Sequence, residues 1–358
     1  MRAVTTFVLG LFLAASAAAP PALAAKTAEA PPLARAVIAE AAGRLNDTLA
    51  AVARSAASLG AAYAALVRDT PPPTPEERGR FLQNYAVKDG VVAFRDRQSP
   101  CGPEPAAEAP CPALLFYDGE NFTDETFRQL AVLSRLGPAM AAAHDALPFS
   151  WVYLTTPGQN FAIYPSLPLA EAVSNYQPTG KDFYTAADFK GKACGWLSPY
   201  LDLAGAGMMV TVSCPVYDGE TLLAVSSRDV TLAQLSSRVL ADLAGIPGAR
   251  AVLMNRRGKA IAASDAKVSA FIESENGKAG DAVVYFRADR GLAALGLEKG
   301  LASPDEALNQ AGEDVVARHE TDRDSPIVFT QGKDTVLATR LAATGWYLVL
   351  LVPQKAAR

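Results

Sequence analysis

Across residues 33–68 the chain repeats apolar residues at helical spacing, and this stretch most limits the folds open to it. Leu33, Val37, Ile38, Ala41, Leu45, Leu49, Val52, Ala56, Leu59, Tyr63 and Leu66 recur three or four apart, on one side of a helix. Asp69 and the run Pro71-Pro72-Pro73 stop it, because proline has no amide to continue the ladder. As an α-helix these 36 residues span about 54 Å. That outreaches one small domain. The apolar stripe therefore needs two lobes laid along it, or a partner copy of the chain.

The residues before the helix bear on compartment. Arg2 is the lone positive charge ahead of an apolar run, 3–19, followed by Pro20-Pro21 and Ala22-Leu23-Ala24. This is the pattern of a secretory signal peptide, with cleavage expected after Ala24, or after Ala25 as the alternative. An uncleaved anchor is the other reading, but the run is shorter than the roughly 20 residues a spanning helix needs. The only other dense apolar stretch, 346–352, has the length of a strand, so no further span is expected. The mature chain is expected to be soluble, and periplasmic or secreted. Net charge is −4 and the basic residues are scattered, which leaves no footprint for nucleic acid.

Four cysteines in an exported chain read as two disulfides. Cys101 and Cys111 bracket a Pro- and Glu-rich loop. Cys194 and Cys214 lie equally far from Ala204, beside Gly205 and Gly207. Residues equidistant from a hairpin turn face each other at roughly 4.5–5.5 Å between side-chain carbons, close enough for a bridge. Free buried thiols are the alternative. There is no CxxC, and the two histidines, His144 and His319, are far apart, so no metal or cofactor is expected.

After the helix, residues 26–32 behind it being an Ala/Pro linker, the pattern is mixed. Residues 77–98 read as a short helix and a strand at 91–94, and 114–117 as another strand. Thr123 caps a helix running to about His144. Beyond Pro148 the period changes to two. Strands at 151–155 and 161–164 flank Pro157-Gly158 as a hairpin, and strands at 196–200, 208–216 and 222–225 follow, then a helix at 232–243. The run Gly245 to Gly248 punctuates the chain. A second unit then holds a hairpin, 251–254 with 260–262, completed by strands at 283–286, 327–330, 335–340 and 346–352. The two units share no repeat in sequence. The fold class is α+β, divided as 1–24 signal peptide, 25–70 linker and long helix, 71–244 first lobe and 245–358 second lobe.

Residues 151–240 carry an ordered set of pieces: Trp151 and Tyr153, Tyr164-Pro165, Tyr176, Lys181-Asp182-Phe183-Tyr184, residues 196–202 (WLSPYLD), 211–216 (TVSCPV) and 224–232 (AVSSRDVTL). In this order they resemble the ligand-binding lobe of double Cache domains, extracytoplasmic sensors of bacterial chemoreceptors and sensor kinases. The long helix before and the smaller lobe after extend the resemblance to roughly residues 33–355. It implies a long N-terminal helix followed by two PAS-like lobes, each an antiparallel sheet with flanking helices. The distal lobe would bind the ligand, and a membrane-bound receptor or kinase would be the partner.

One subgroup of that family recognises amino acids through a Tyr five residues before an Arg, a Trp-Tyr pair, a Tyr-x-Asp and a later Asp. Tyr176 falls five before Lys181, Phe183-Tyr184 takes the pair, Tyr200-Leu201-Asp202 matches, and Asp229 supplies the last carboxylate. With Tyr153 on the opening strand these form the expected ligand-binding set. Two positions depart, Lys181 from arginine and Phe183 from tryptophan. Arginine grips a carboxylate with two parallel bonds, whereas lysine offers a single hydrated charge. The carboxylate end is thereby weakened, while Asp202, Asp229 and the tyrosines keep the ammonium end, so a simple amine stays open beside an amino acid. Plainer roles stay open too: Asp229 as an N-cap for a helix at Thr231-Leu232, Lys181-Asp182 as a solvated turn, and the aromatics as core.

An enzyme is the rival class. Neither histidine sits beside a nucleophile elbow or a ligand pair, and GxSxG, HExxH, Walker and GxGxxG motifs are all missing. A third class is an assembly module, in which the long helix forms a homodimer and the pocket is vestigial.

Overall fold

The computed structural model describes residues 32–94, 112–146, 151–202, 207–235, 240, 243, 246–276, 283–297, 300–319 and 326–354. The signal-peptide reading and the Cys101–Cys111 bridge fall outside these residues. Helix α1 (Pro32–Asp69) forms where the spacing placed it. Ile38, Leu45, Leu49, Val52, Leu59 and Tyr63 face inward along its whole length. Burying each such side chain contributes about 1.5–3 kcal/mol. The first part of α1 packs in one core with strands of both lobes, and Leu59 to Val67 enter the first lobe's own core. By length and composition α1 also passes as a membrane-crossing helix, contrary to the expectation of no further such stretch. Its apolar stripe is covered by both sheets.

The first lobe begins with α2 (Pro75–Gln83), started by a capping box in which Thr74 and Glu77 satisfy each other's amides. Strands β1 (Tyr85–Lys88), β2 (Val91–Phe94) and β3 (Ala113–Phe116) precede α3 (Asp124–Leu133) and α4 (Gly137–Ala146). The expected single helix from Thr123 to His144 is thus two. Pro138 has no amide to donate to the carbonyl of Ser134, so the ladder of α3 is not carried through, and the proline sits in the first turn of α4, where no such donor is needed. Strands β4 (Val152–Thr155) and β5 (Asn160–Tyr164) form the expected hairpin. A long connection with the short helix α5 (Asp182–Thr185) leads to β6 (Gly195–Leu201), β7 (Met208–Asp218), β8 (Thr221–Thr231) and α6 (Leu232–Leu235).

The second lobe holds β9 (Arg250–Met254), β10 (Ala260–Ala263), α7 (Ala266–Asn276), β11 (Val283–Tyr285), α8 (Asp289–Ala294), β12 (Gly300–Ala302), α9 (Glu306–His319), β13 (Ile327–Gln331), β14 (Asp334–Arg340) and β15 (Tyr347–Pro353). One expected strand is misplaced. β11 pairs in parallel with β12 as a separate two-stranded sheet and does not complete the main one.

Strand order relates the two lobes. The first sheet runs β1-β2-β3-β5-β4-β8-β7-β6 and the second β10-β9-β15-β14-β13, every neighbour antiparallel. Counting only main-sheet strands, from β4 in the first lobe and from β9 in the second, both contain the order 2-1-5-4-3. Both lobes are PAS-like. In each, the connection between the second and third strands carries the inserted helices. Cys194 and Cys214 are bridged, with Cα atoms 4.0 Å apart, and extend the β6–β7 register by one pair beyond Gly195 and Ser213.

Candidate functional site

Alternation along the first sheet's strands divides two faces. Val152 and Leu154 of β4 turn toward α1, α3 and α4, while Tyr153 points to the opposite side with Phe161 and Ile163 of β5. On β8 the same alternation separates Arg228, whose Nη1 donates to the carbonyl of Ala143 at 2.7 Å, from Asp229. Over the Asp229 face the β5–β6 connection folds back as a cover. Ser213 of β7 donates its hydroxyl to the carbonyl of Phe183, tying α5 to the sheet. Sheet and cover enclose a cavity of about 350 Å³, within the range of small-molecule sites.

Asp229 is 2% exposed and lines this cavity. It sits directly opposite Thr211 in the β7–β8 register. Thr211 Oγ1 donates to its Oδ1 at 2.6 Å and Tyr153 OH donates to the same oxygen at 3.0 Å. Tyr200 OH lies 3.5 Å from that oxygen and 2.8 Å from Thr211 Oγ1. Burial pushes the carboxyl up to about 7, against the lowering effect of the Thr211 and Tyr153 hydrogen bonds, with Asp202 adding to the rise and Arg228 opposing it. Burial likewise raises Tyr153 and Tyr200 well above the ordinary tyrosine value.

The N-cap alternative for Asp229 is taken by another residue. β8 runs on past Asp229, and Thr231 Oγ1 accepts from the amide of Gln234 while Gln234 Oε1 accepts from that of Thr231. Asp229 is a strand residue facing the cavity.

The structure brings Tyr153, Tyr176, Lys181, Phe183, Tyr200, Asp202 and Asp229 around one space. Asp202, at the end of β6, accepts from the indole of Trp151 at 3.1 Å. Tyr176 stacks near Phe183, centroids 6.4 Å apart, and Phe183 meets Tyr153 edge-on at 5.3 Å. Lys181 Nζ stands 4.5 Å from the centre of the Tyr176 ring, a cation–π contact. Tyr184 is the member not brought in. It follows Phe183 by one helical step, which turns it away to pack on Phe189.

Sequence reasoning missed Thr211 and Trp151 as parts of the site. Thr211 had a signal, since a strand paired with the one carrying Asp229 must place some residue opposite that carboxylate. The register itself was not legible. His144 meets Tyr164 edge-on and His319 meets Tyr347 edge-on, both away from the cavity. Among the described residues no group of three His, Cys, Asp or Glu side chains is placed to hold a metal ion.

Chemically the cavity lining offers four carboxylates, Glu171, Asp182, Asp202 and the deeply buried Asp229, against a single lysine, with aromatic faces between. Carboxylates in that excess, with aromatic faces beside them, suit a cation.

No protein-family model and no curated protein matches the chain. Among solved structures, the ligand-binding domain of the Pseudomonas fluorescens chemoreceptor CtaA with L-serine is similar at 17% identity and a TM-score of 0.37, covering 63% of this chain and 80% of that one. The ligand-binding domain of the Pseudomonas aeruginosa amino acid chemoreceptor PctC with GABA is 18% identical, TM-score 0.37, over 57% and 73%. The sensory domain of the Campylobacter jejuni chemoreceptor Tlp3 with isoleucine is 13% identical, TM-score 0.42, over 91% and 96%. Likeness of this size decides neither family nor ligand, and both rest on the chain's own residues.

Proposed function

We propose that this chain is an extracytoplasmic sensory domain of the double Cache kind, whose first lobe binds a small molecule carrying a protonated amine. An amino acid or a close derivative fits best. The observation that carries the reading is Asp229: a carboxylate 2% exposed, fixed through one oxygen by hydroxyls and lining a cavity. Burial makes ionising it costly, as its rise to about 7 records. An ammonium beside it removes that cost, and Asp202 and the Tyr176 and Tyr200 rings complete the cage. Lys181 is the cation available for a ligand carboxylate.

The Cys194–Cys214 bridge supports a location outside the cytoplasm, together with the signal-like start of the sequence. A membrane-bound receptor or kinase is the partner such a sensor requires, and the role is recognition, not catalysis. A simple amine is the second reading, favoured by Lys181 resting over Tyr176.

Thermal-shift screening of the purified protein against amino acids, their decarboxylated amines, carboxylates and purines tests the proposal. A ligand at a hundred times its Kd should add about 2.7 kcal/mol of stability. Stabilisation confined to amine-bearing compounds is the expected result. Stabilisation only by carboxylates or uncharged compounds would contradict it.

A further inference from the structure

β6 ends its sheet, yet its outer flank is not left to solvent. The second lobe covers it, with β10 and α7 packed alongside. Trp196 of β6 meets Trp346 of the second lobe edge-on, centroids 5.5 Å apart. Three residues on, the pairing of β6 with β7 breaks between Leu197 and Tyr200. Pro199 explains the break, since it has no amide to donate to β7. Two side chains of the β9–β10 turn lodge there. Lys259 Nζ donates to the Pro199 carbonyl at 3.0 Å, and Asn255 Nδ2 donates to Ser198 Oγ at 3.2 Å.

The turn that presents them is braced. Asn255 Oδ1 accepts from the amides of Arg257 and Lys259, Gly258 takes a positive φ of 82°, and Phe286 donates its amide to the Gly258 carbonyl. Lys259 is largely desolvated, and Asp182 of the cavity's cover is close enough to favour its charge. The strand it grips carries Tyr200 and Asp202 into the cavity one and three residues beyond Pro199. Its opposite end is fixed to β7 by the Cys194–Cys214 bridge.

We infer that Lys259, from the second lobe, is a positioning residue for the first lobe's cavity: by holding the β6 break it sets where Tyr200 and Asp202 stand. Neither Lys259 nor Asn255 lines the cavity. β6 is then the element through which cavity and second lobe sense each other. The consequence for binding rests on the reading of the cavity as an amine site. The consequence for the strand does not.

The test uses the full chain with Lys259→Met, which keeps the apolar stem and removes the donor, and Lys259→Arg, which restores one. Hydrogen exchange of the ligand-free protein should show the Tyr200, Leu201 and Asp202 amides exchanging about tenfold faster in Lys259→Met. The amides of β8 and β15 should keep the parent's rates, and Lys259→Arg should return β6 toward them. With L-amino acids and their decarboxylated amines as probes, Lys259→Met should bind about tenfold more weakly, by the same loss of one charge-assisted bond. Unchanged exchange in β6, or acceleration spread equally over β8 and β15, would overturn the inference. So would parental affinity in Lys259→Met. Should the parent bind none of these probes, the amine reading falls and the exchange rates alone decide the role of Lys259.

Discussion

Thr211 and Asp229 face each other across β7 and β8, and the threonine hydroxyl donates to the buried carboxylate at 2.6 Å. Strand pairing itself thus places a donor where the site needs one. It moderates the cost of a charge that burial opposes, without cancelling it, and the carboxyl stays at about 7. A site in that condition gains most from a ligand that brings a positive charge.

Stability measured without added ligand should record the same cost. The Asp229 carboxyl titrates at about 7 in the fold against 3.8 ordinarily, so the folded state keeps a proton that the unfolded chain has released. Between about pH 4 and 7 this contribution makes stability fall as pH rises, by at most about 1.4 kcal/mol per unit, and it levels off above. Asp229→Asn removes the slope. Urea midpoints should show the variant gaining on the parent across that interval and holding its lead at pH 8. A constant difference from pH 4 to 8 would contradict the assignment.

Binding should depend on pH with the opposite sign. An ammonium ligand needs Asp229 ionised, so affinity at pH 6 should be about tenfold weaker than at pH 8. Thr211→Val keeps the shape but removes the hydroxyl that favours the charged form. The midpoint of the affinity profile should then move to higher pH, read by calorimetry at half-unit steps. An unshifted midpoint would show that the hydroxyl does not bear on the carboxylate.

Removing the Cys194–Cys214 bridge, by paired serine substitutions, frees one end of β6. The loop it closes spans 20 residues, and the loss should be about 3 kcal/mol. Because β6 carries Tyr200 and Asp202, ligand affinity should fall as well. Denaturation and calorimetry of the pair variant check both. Weakened stability with parental affinity would place the bridge outside the site's support.

Some of this was legible in the chain. Equal spacing of Cys194 and Cys214 from Ala204 anticipates their bridge, because a hairpin opposes residues equidistant from its turn. The long helix follows from its unbroken apolar spacing. Other features compete with that logic. Asp89-Gly90, both at positive φ, is a hairpin signal that marks β1, but the four residues of β1 carry a weaker apolar pattern than the strand at 91–94. Helices α7 and α9 carry Val268 and Ile272, and Leu308, Ala311 and Val315, at helical spacing between weaker strand signals. Asp229 could be read equally as a cap or as a strand residue, and only the length of β8 separates the two. Order of strands, the break at Pro199 and the contact from Lys259 depend on long-range pairing, which local spacing does not encode.

The central claim is that Asp229 receives a ligand's ammonium, and a matched set of ligands tests it most directly. For each side chain, calorimetry at pH 8 would compare the amino acid, the amine left by removing its carboxyl, and the acid left by removing its amine. The account predicts binding by amine-bearing members, none by the acid, and loss of about 2–5 kcal/mol in Asp229→Asn, as for a desolvated charge deprived of its partner. Binding of the acid alone, or parental affinity in Asp229→Asn, would contradict it.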